Sequence, residues 1–147
     1  MSLARLEALA QALKRLPATL EAATADVVDA NRHVLEDANT AQLAQGKDAD
    51  GQDITPEYAP LTRAIKQLKG QPVDRVTLRD EGDFYSGIVA DVRSGEVEMV
   101  GTDVKTPGLT GKYGEDILGL SDAALEEFRQ DYVKPELLEK TRDELGL

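Results

Sequence analysis

From Leu3 onward the chain repeats apolar residues at helical intervals. Leu3, Leu6, Leu9, Leu13 and Leu16 fall near one face of a helix of 3.6 residues per turn. Ser2 stands where a side-chain oxygen caps such a helix, and Pro17 suits the first turn of a second one, where its missing N–H has no partner to lose. This second helix is predicted to run to about Gln45. Leu20, Ala23, Val27, Ala30, Val34, Ala38 and Ala41 form its stripe, and Gly46 is its stop. The small side chains of that stripe suit close packing against another helix or another copy of the chain.

The pattern changes after Gly46. Residues 47–60 are polar and rich in Gly, Asp and Pro, as an exposed loop requires. LTRAIKQLKG then reads as a short helix with Leu61, Ile65 and Leu68 on one side and Gly70 at its end. Residues 71–75 connect it to RVTLRD, SGIVADVRS and EVEMVGTD, which are rich in β-branched residues and predict strands of a small antiparallel sheet. Ser94-Gly95 is the expected hairpin turn. TPGLTGKYGEDILGL, residues 106–120, has four glycines and a proline and reads as a long loop. Ser121 then caps a final helix carrying Leu125, Phe128 and Tyr132. Pro135 should kink or restart that helix, so that Leu138 and Leu145 meet a different neighbour.

The expected fold class is α+β, with long N-terminal helices and a C-terminal helix packed on a small antiparallel β-sheet. One domain, 1–147, is expected from the length: a helical part at 1–46, a loop at 47–60, a short helix with the sheet and long loop at 61–120, and the final helix at 121–147.

Composition narrows the function. Apolar residues make up 41% of the chain but aromatic ones only 4%, so aliphatic side chains must build the core. A formal charge of −11, from 28 acidic and 17 basic residues spread along the chain, would repel duplex DNA. The chain has no cysteine, and so no disulfide framework, thiol nucleophile or thiolate metal site. Its amphipathic start resembles neither a signal peptide nor a spanning helix, which implies a protein that stays in the compartment where it is made.

GKDADGQDITPE, beginning at Gly46, invites comparison with a calcium loop. Asp48, Asp50 and Glu57 fall at frame positions 3, 5 and 12, and Gly51 takes the turn position. The frame fails at position 1, which is Gly46, and at the normally apolar position 8, which is Asp53. Pro56 and Pro60 also interrupt the helix that should follow. The reading of these residues is therefore a polar turn with no metal. The alternative is a small calcium-binding or regulatory domain that uses Asp48, Asp50, Asp53 and Glu57.

Other candidates carry less. His33, with Asp29 and Asp37 four residues to either side, reads as a solvated helix face and lacks the second histidine of a zinc protease helix. GLTGKYGED misses the phosphate-loop frame at Thr106 and Tyr113. Ser86 in FYSGI lacks the nucleophile-elbow frame. Carboxylate pairs for acid and base work are available in any acidic chain, and no spacing singles one out. Tyr85, Tyr113, Phe128 and Tyr132 read as core or interface residues. No catalytic residue and no cofactor-binding residue is assigned.

The order of elements says more than any one motif. A helical first half is followed by Asp50, Gly51, Pro56 and Tyr58, then by Thr62 and Lys66. Next come Leu78, Asp80, Gly82 and Phe84, and after them Tyr113-Gly114 and Ile117-Leu118-Gly119-Leu120. Over residues 46–145 this order resembles the small virion morphogenesis proteins of tailed bacteriophages, the tail-completion and head-to-tail joining (neck) proteins. Glu81 and the length of the last helix depart from the commoner pattern. The resemblance implies a non-enzymatic structural protein without a cofactor, forming a homo-oligomeric ring at the neck or upper tail. Its partners would be portal or connector and tail-tube or terminator proteins, with DNA as passing cargo and no membrane or small-molecule substrate. Its place would be the virion, and the bacterial cytoplasm during assembly.

Overall fold

The computed structural model describes residues 2–93 and 96–147. The architecture is α+β, with long N-terminal helices, a C-terminal helix and one two-stranded antiparallel sheet. Ser2 opens α1 (Leu3–Ala30) as expected, its hydroxyl accepting from Arg5 N at 3.1 Å. The break expected at Pro17 does not occur, and α1 runs through it for 28 residues. A proline inside a helix removes one backbone bond, and the good helix formers on either side carry the helix across it. The break comes instead at Asn31, whose amide Nδ2 turns back onto Val27 O at 2.8 Å. α2 (Arg32–Ala44) follows. Asp29 therefore lies before this break and His33 and Asp37 after it, so the three do not share one continuous helix.

The chain sorts into two compact units. The first comprises residues 1–31, 92–96 and 126–147. In it α1 packs against α7 (Lys134–Leu145), Ala12, Ala23, Val27 and Val28 of α1 are buried, and Arg15 Nε meets Glu144 Oε1 at 2.8 Å. α6 (Asp122–Phe128), capped by Ser121 as the sequence predicts, leads through a π turn at Arg129–Val133 into α7, with Pro135 in the first turn of that helix. A wider turn suits a place where the next residues include one with no N–H to give. Phe128 is buried there and stacks on Tyr132 with ring centres 5.2 Å apart.

The second unit comprises residues 32–91 and 97–125. Its core is Leu43, Ile54, Val76, Leu78, Phe84, Ile88 and Ile117, bordered by Tyr58, Tyr85, Met99, Leu109, Tyr113 and Leu118. α3 (Pro60–Leu68) and the single turn α4 (Asp83–Ser86) precede β1 (Ile88–Arg93) and β2 (Glu96–Gly101). On β1 the buried residues alternate, Ile88 and Ala90 being inside, as one covered face of a sheet requires. The expected turn at Ser94-Gly95 lies outside the described residues.

Two predicted elements are corrected in this unit. RVTLRD forms no strand: Leu78 takes φ +58, a left-handed backbone that no regular strand accommodates. The long loop expected at 106–120 is instead α5 (Thr106–Tyr113) followed by a 3-10 turn at Glu115–Ile117. Its Pro107 falls at the start of the helix, where it is tolerated, and Gly114 ends it with φ +94.

Candidate functional site

Beyond α2 the backbone turns at Gly46, where φ is +73 and an added Cβ would stand 2.8 Å from Cβ of Arg75. No other residue fits that approach. The next seven residues fold into a miniature hairpin. Lys47 and Asp53 form an antiparallel bridge and an ion pair, and Asp48 N donates to Gln52 O at 2.9 Å. Asp48 Oδ1 accepts from the N–H groups of Asp50 and Gln52, each at 3.0 Å, so this carboxylate holds its own turn.

Asp50 meets Asp116. A hydrogen bond between the two carboxyls, reinforced by the charge of Asp116, raises the Asp50 carboxyl above its ordinary range. Both side chains are exposed, as is Glu57. Of the four carboxylates of the calcium alternative, Asp48 holds its own turn, Asp50 meets Asp116 and Asp53 pairs with Lys47. Among the described residues no three His, Cys, Asp or Glu side chains are grouped so as to hold a metal ion.

The far end of the loop is tied to the core by Tyr58. Its hydroxyl oxygen accepts from the backbone N–H groups of Thr77 and Leu78 at 3.1 and 3.0 Å, and the Tyr85 hydroxyl donates to Thr77 O at 2.5 Å. Residues 76–78 are buried and have no strand beside them among the described residues, so two tyrosines supply hydrogen bonds of the kind a sheet would have given. Burial pushes the Tyr85 phenol up to about 12. Over the Tyr58 ring, 4.7 Å from its centre, lies the ammonium of Lys66, a residue only 8% exposed. That ammonium donates to Arg79 O at 2.8 Å. Beside it Asp80 accepts from Lys69 at 2.8 Å and, through its backbone oxygen, from Gln71 at 2.9 Å. The hydrogen bonds from Lys69 and Gln71 lower the Asp80 carboxyl below its ordinary value.

The third segment, 113–121, closes on the same loop. Ala49 N donates to Asp116 O at 2.8 Å, and a Cβ on Gly119 would stand 3.0 Å from that of Ala49. Two α2 side chains hold this segment from the other side. Asn39, fully buried, donates to Ile117 O at 3.0 Å and accepts from Gly119 N at 2.9 Å. Gln42 donates to Gly119 O and accepts from Ser121 N.

All the positions that carry the phage resemblance, Asp50, Gly51, Pro56, Tyr58, Leu78, Asp80, Gly82, Phe84, Tyr113, Gly114 and Gly119, lie in this second unit. Tyr58, Leu78 and Phe84 belong to or border its core, Gly82 opens α4 with φ +92, and Gly51 turns the hairpin with φ +78. Sequence reasoning missed Asn39, Gln42 and the burial of Lys66. Asn39 had one signal: it stands between Leu35 and Leu43 on the buried line of α2, one register away from the stripe of Val34, Ala38 and Ala41 that the small residues suggested.

What this unit leaves uncovered is α3. Its polar side faces in, through Lys66 and half-buried Thr62, while Leu61, Ile65 and Leu68 are 74, 46 and 91% exposed. The sequence pattern placed those three on one side of the helix without fixing which way that side faces. In the first unit, Ala18, Glu21, Ala22, Ala25, Asp26 and Asp29 of α1 and Val92 of β1 line an open groove of about 640 Å³. No helix among the described residues is long and apolar enough to cross a membrane. No protein-family model, curated protein or solved structure matches the chain.

Proposed function

We propose that this chain is a structural virion protein of a tailed phage, forming or completing a ring at the neck or upper tail through protein–protein contacts. The reading begins from the resemblance over residues 46–145. The observation that carries it furthest is the outward apolar side of α3, since three large aliphatic side chains left in water form a surface that a partner protein gains by covering. The residues at the resemblance positions with assigned contacts work within the second unit: Gly51 turns the hairpin, Tyr58 ties the loop down, and Phe84 and Leu78 fill a core. A surface-contact protein needs such a rigid body behind its patches, and a ring subunit needs two complementary patches rather than a pocket.

The charge fits a passage. At −11 the chain has little to hold DNA with, and acid along a lumen lets a duplex slide through. In this reading the chain acts without catalysis and without a cofactor, its neighbours being portal or connector proteins on one side and tail-tube or terminator proteins on the other. Mass spectrometry of purified virions from a lysate that expresses the chain tests this. The chain is expected in intact particles at a fixed small copy number. Infectious particles that lack it contradict the reading.

A further inference from the structure

Asp50-Gly51, at the tip of the hairpin, is the one place in the chain where an aspartate precedes a glycine, and no asparagine does so. That order carries a chemistry of its own. The backbone nitrogen after an aspartate lies within reach of the side-chain carboxyl carbon, and a side chain on the next residue crowds that approach, whereas glycine has none. The fold leaves the dipeptide open. Asp50 and Gly51 are exposed, and apart from its chain neighbours nothing stands within 4 Å of where a Cβ on Gly51 would lie. Gly51 takes φ +78, and its N–H donates to Asp48 O at 3.1 Å, a surface bond of the kind that opens locally. Ring closure onto the carboxyl expels water and therefore proceeds from the protonated acid. Asp116, facing Asp50 from the segment 113–121, supplies the hydrogen bond and the charge that keep a proton there. The other charges of the hairpin are Asp48, whose carboxylate holds the turn, and the Lys47–Asp53 pair, and Glu115 is the remaining acid of the facing segment.

We propose that Asp50, met by Asp116 across the hairpin, is a site of spontaneous isoaspartate formation, a slow covalent change that releases the hairpin from the segment 113–121. Gly51 N attacks Cγ of Asp50, the amide proton and the carboxyl hydroxyl leave as water, and a succinimide ring joins the two residues. Water then adds back. Opening at Cγ restores aspartate, and opening at the main-chain carbonyl leaves the chain running through Cγ, with one more methylene in the backbone and the free carboxyl on Cα. No oxidant or other reactant is required. The added methylene lies inside the turn that Asp48 N and Gln52 O close at 2.9 Å, so the hairpin loses its register, and with it the bond from Ala49 N to Asp116 O.

The test is to age the full chain in warm, mildly acidic buffer, digest it with trypsin and resolve the peptides by chromatography with electron-transfer fragmentation, which tells isoaspartate from aspartate at equal mass. Peptide 48–63 is expected to split into two species of equal mass, the new one growing with time and carrying isoaspartate at residue 50. Gly51→Ala should abolish that growth. Asp116→Asn, which leaves the dipeptide intact, should slow it in the folded chain, whereas in denaturant, where residues 50 and 116 no longer meet, variant and parent should convert alike. Hydrogen exchange at Ala49 N should speed up in proportion to the converted fraction. A peptide that stays single, conversion that proceeds equally at other aspartates, a folded-state rate unchanged by Asp116→Asn, or unchanged exchange at Ala49 N in a converted sample overturns the proposal.

Discussion

Asp48 shows how one residue's chemistry decides between two readings of a loop. As a calcium ligand it would be needed only when the ion is bound, whereas as the acceptor for Asp50 N and Gln52 N it is needed always. Asp48→Ala should speed hydrogen exchange at those two amides by about tenfold or more in calcium-free buffer. Unchanged exchange would mean that the turn does not depend on this carboxylate. Tyr85 gives a second prediction at this scale. Its phenol is pushed up to about 12, mainly by burial, from an ordinary value near 10. A raised pKa in the folded state means stability that is complete below about pH 10 and lost as pH rises through about 12. Ultraviolet titration should show a tyrosine step at about 12, and Tyr85→Phe should remove that step. A late step that survives in Tyr85→Phe would contradict the burial of this ring.

Among the elements, α2 shows what the sequence hides. Its helical character was legible from spacing, but the face it buries was not, because alanines that read as a packing stripe are outcompeted by the larger Leu35 and Leu43 one position away. Asn39 between them looks out of place until its two hydrogen bonds to residues 117 and 119 are known. Those bonds are long-range and leave no local trace. Asn39→Ala should cost about 2–4 kcal/mol in denaturant unfolding, since it strands a carbonyl and an amide inside the second unit and leaves a cavity. A loss under about 1 kcal/mol would mean water replaces the side chain. Residues 75–80 failed as a strand for a similar reason: their β-branched composition was right for burial, but the partners are two tyrosine hydroxyls from elsewhere in the chain. Pro17 misled in the other direction, since helix formers on both sides outweigh one lost backbone bond. Pro17→Ala should therefore stabilise α1 by about 1–3 kcal/mol, read as a rise in the midpoint of unfolding. No rise, or a fall, would show that proline shapes α1 in a way that the continuous helix does not reveal.

At the scale of the whole molecule, the exposed side of α3 was half legible. Sequence spacing found the apolar line of α3 but not the way it faces, and an amphipathic helix ordinarily buries that side. Lys66 decides it: its ammonium is held by Arg79 O and the Tyr58 ring, which fixes the polar side inward and leaves Leu61, Ile65 and Leu68 exposed. The central claim is that copies of this chain close into a ring through contacts between unlike patches. Native mass spectrometry of the purified chain over a range of concentrations tests it most directly. The account predicts one closed stoichiometry larger than a dimer that stays constant as concentration rises. A monomer or a two-fold dimer at every concentration would contradict it.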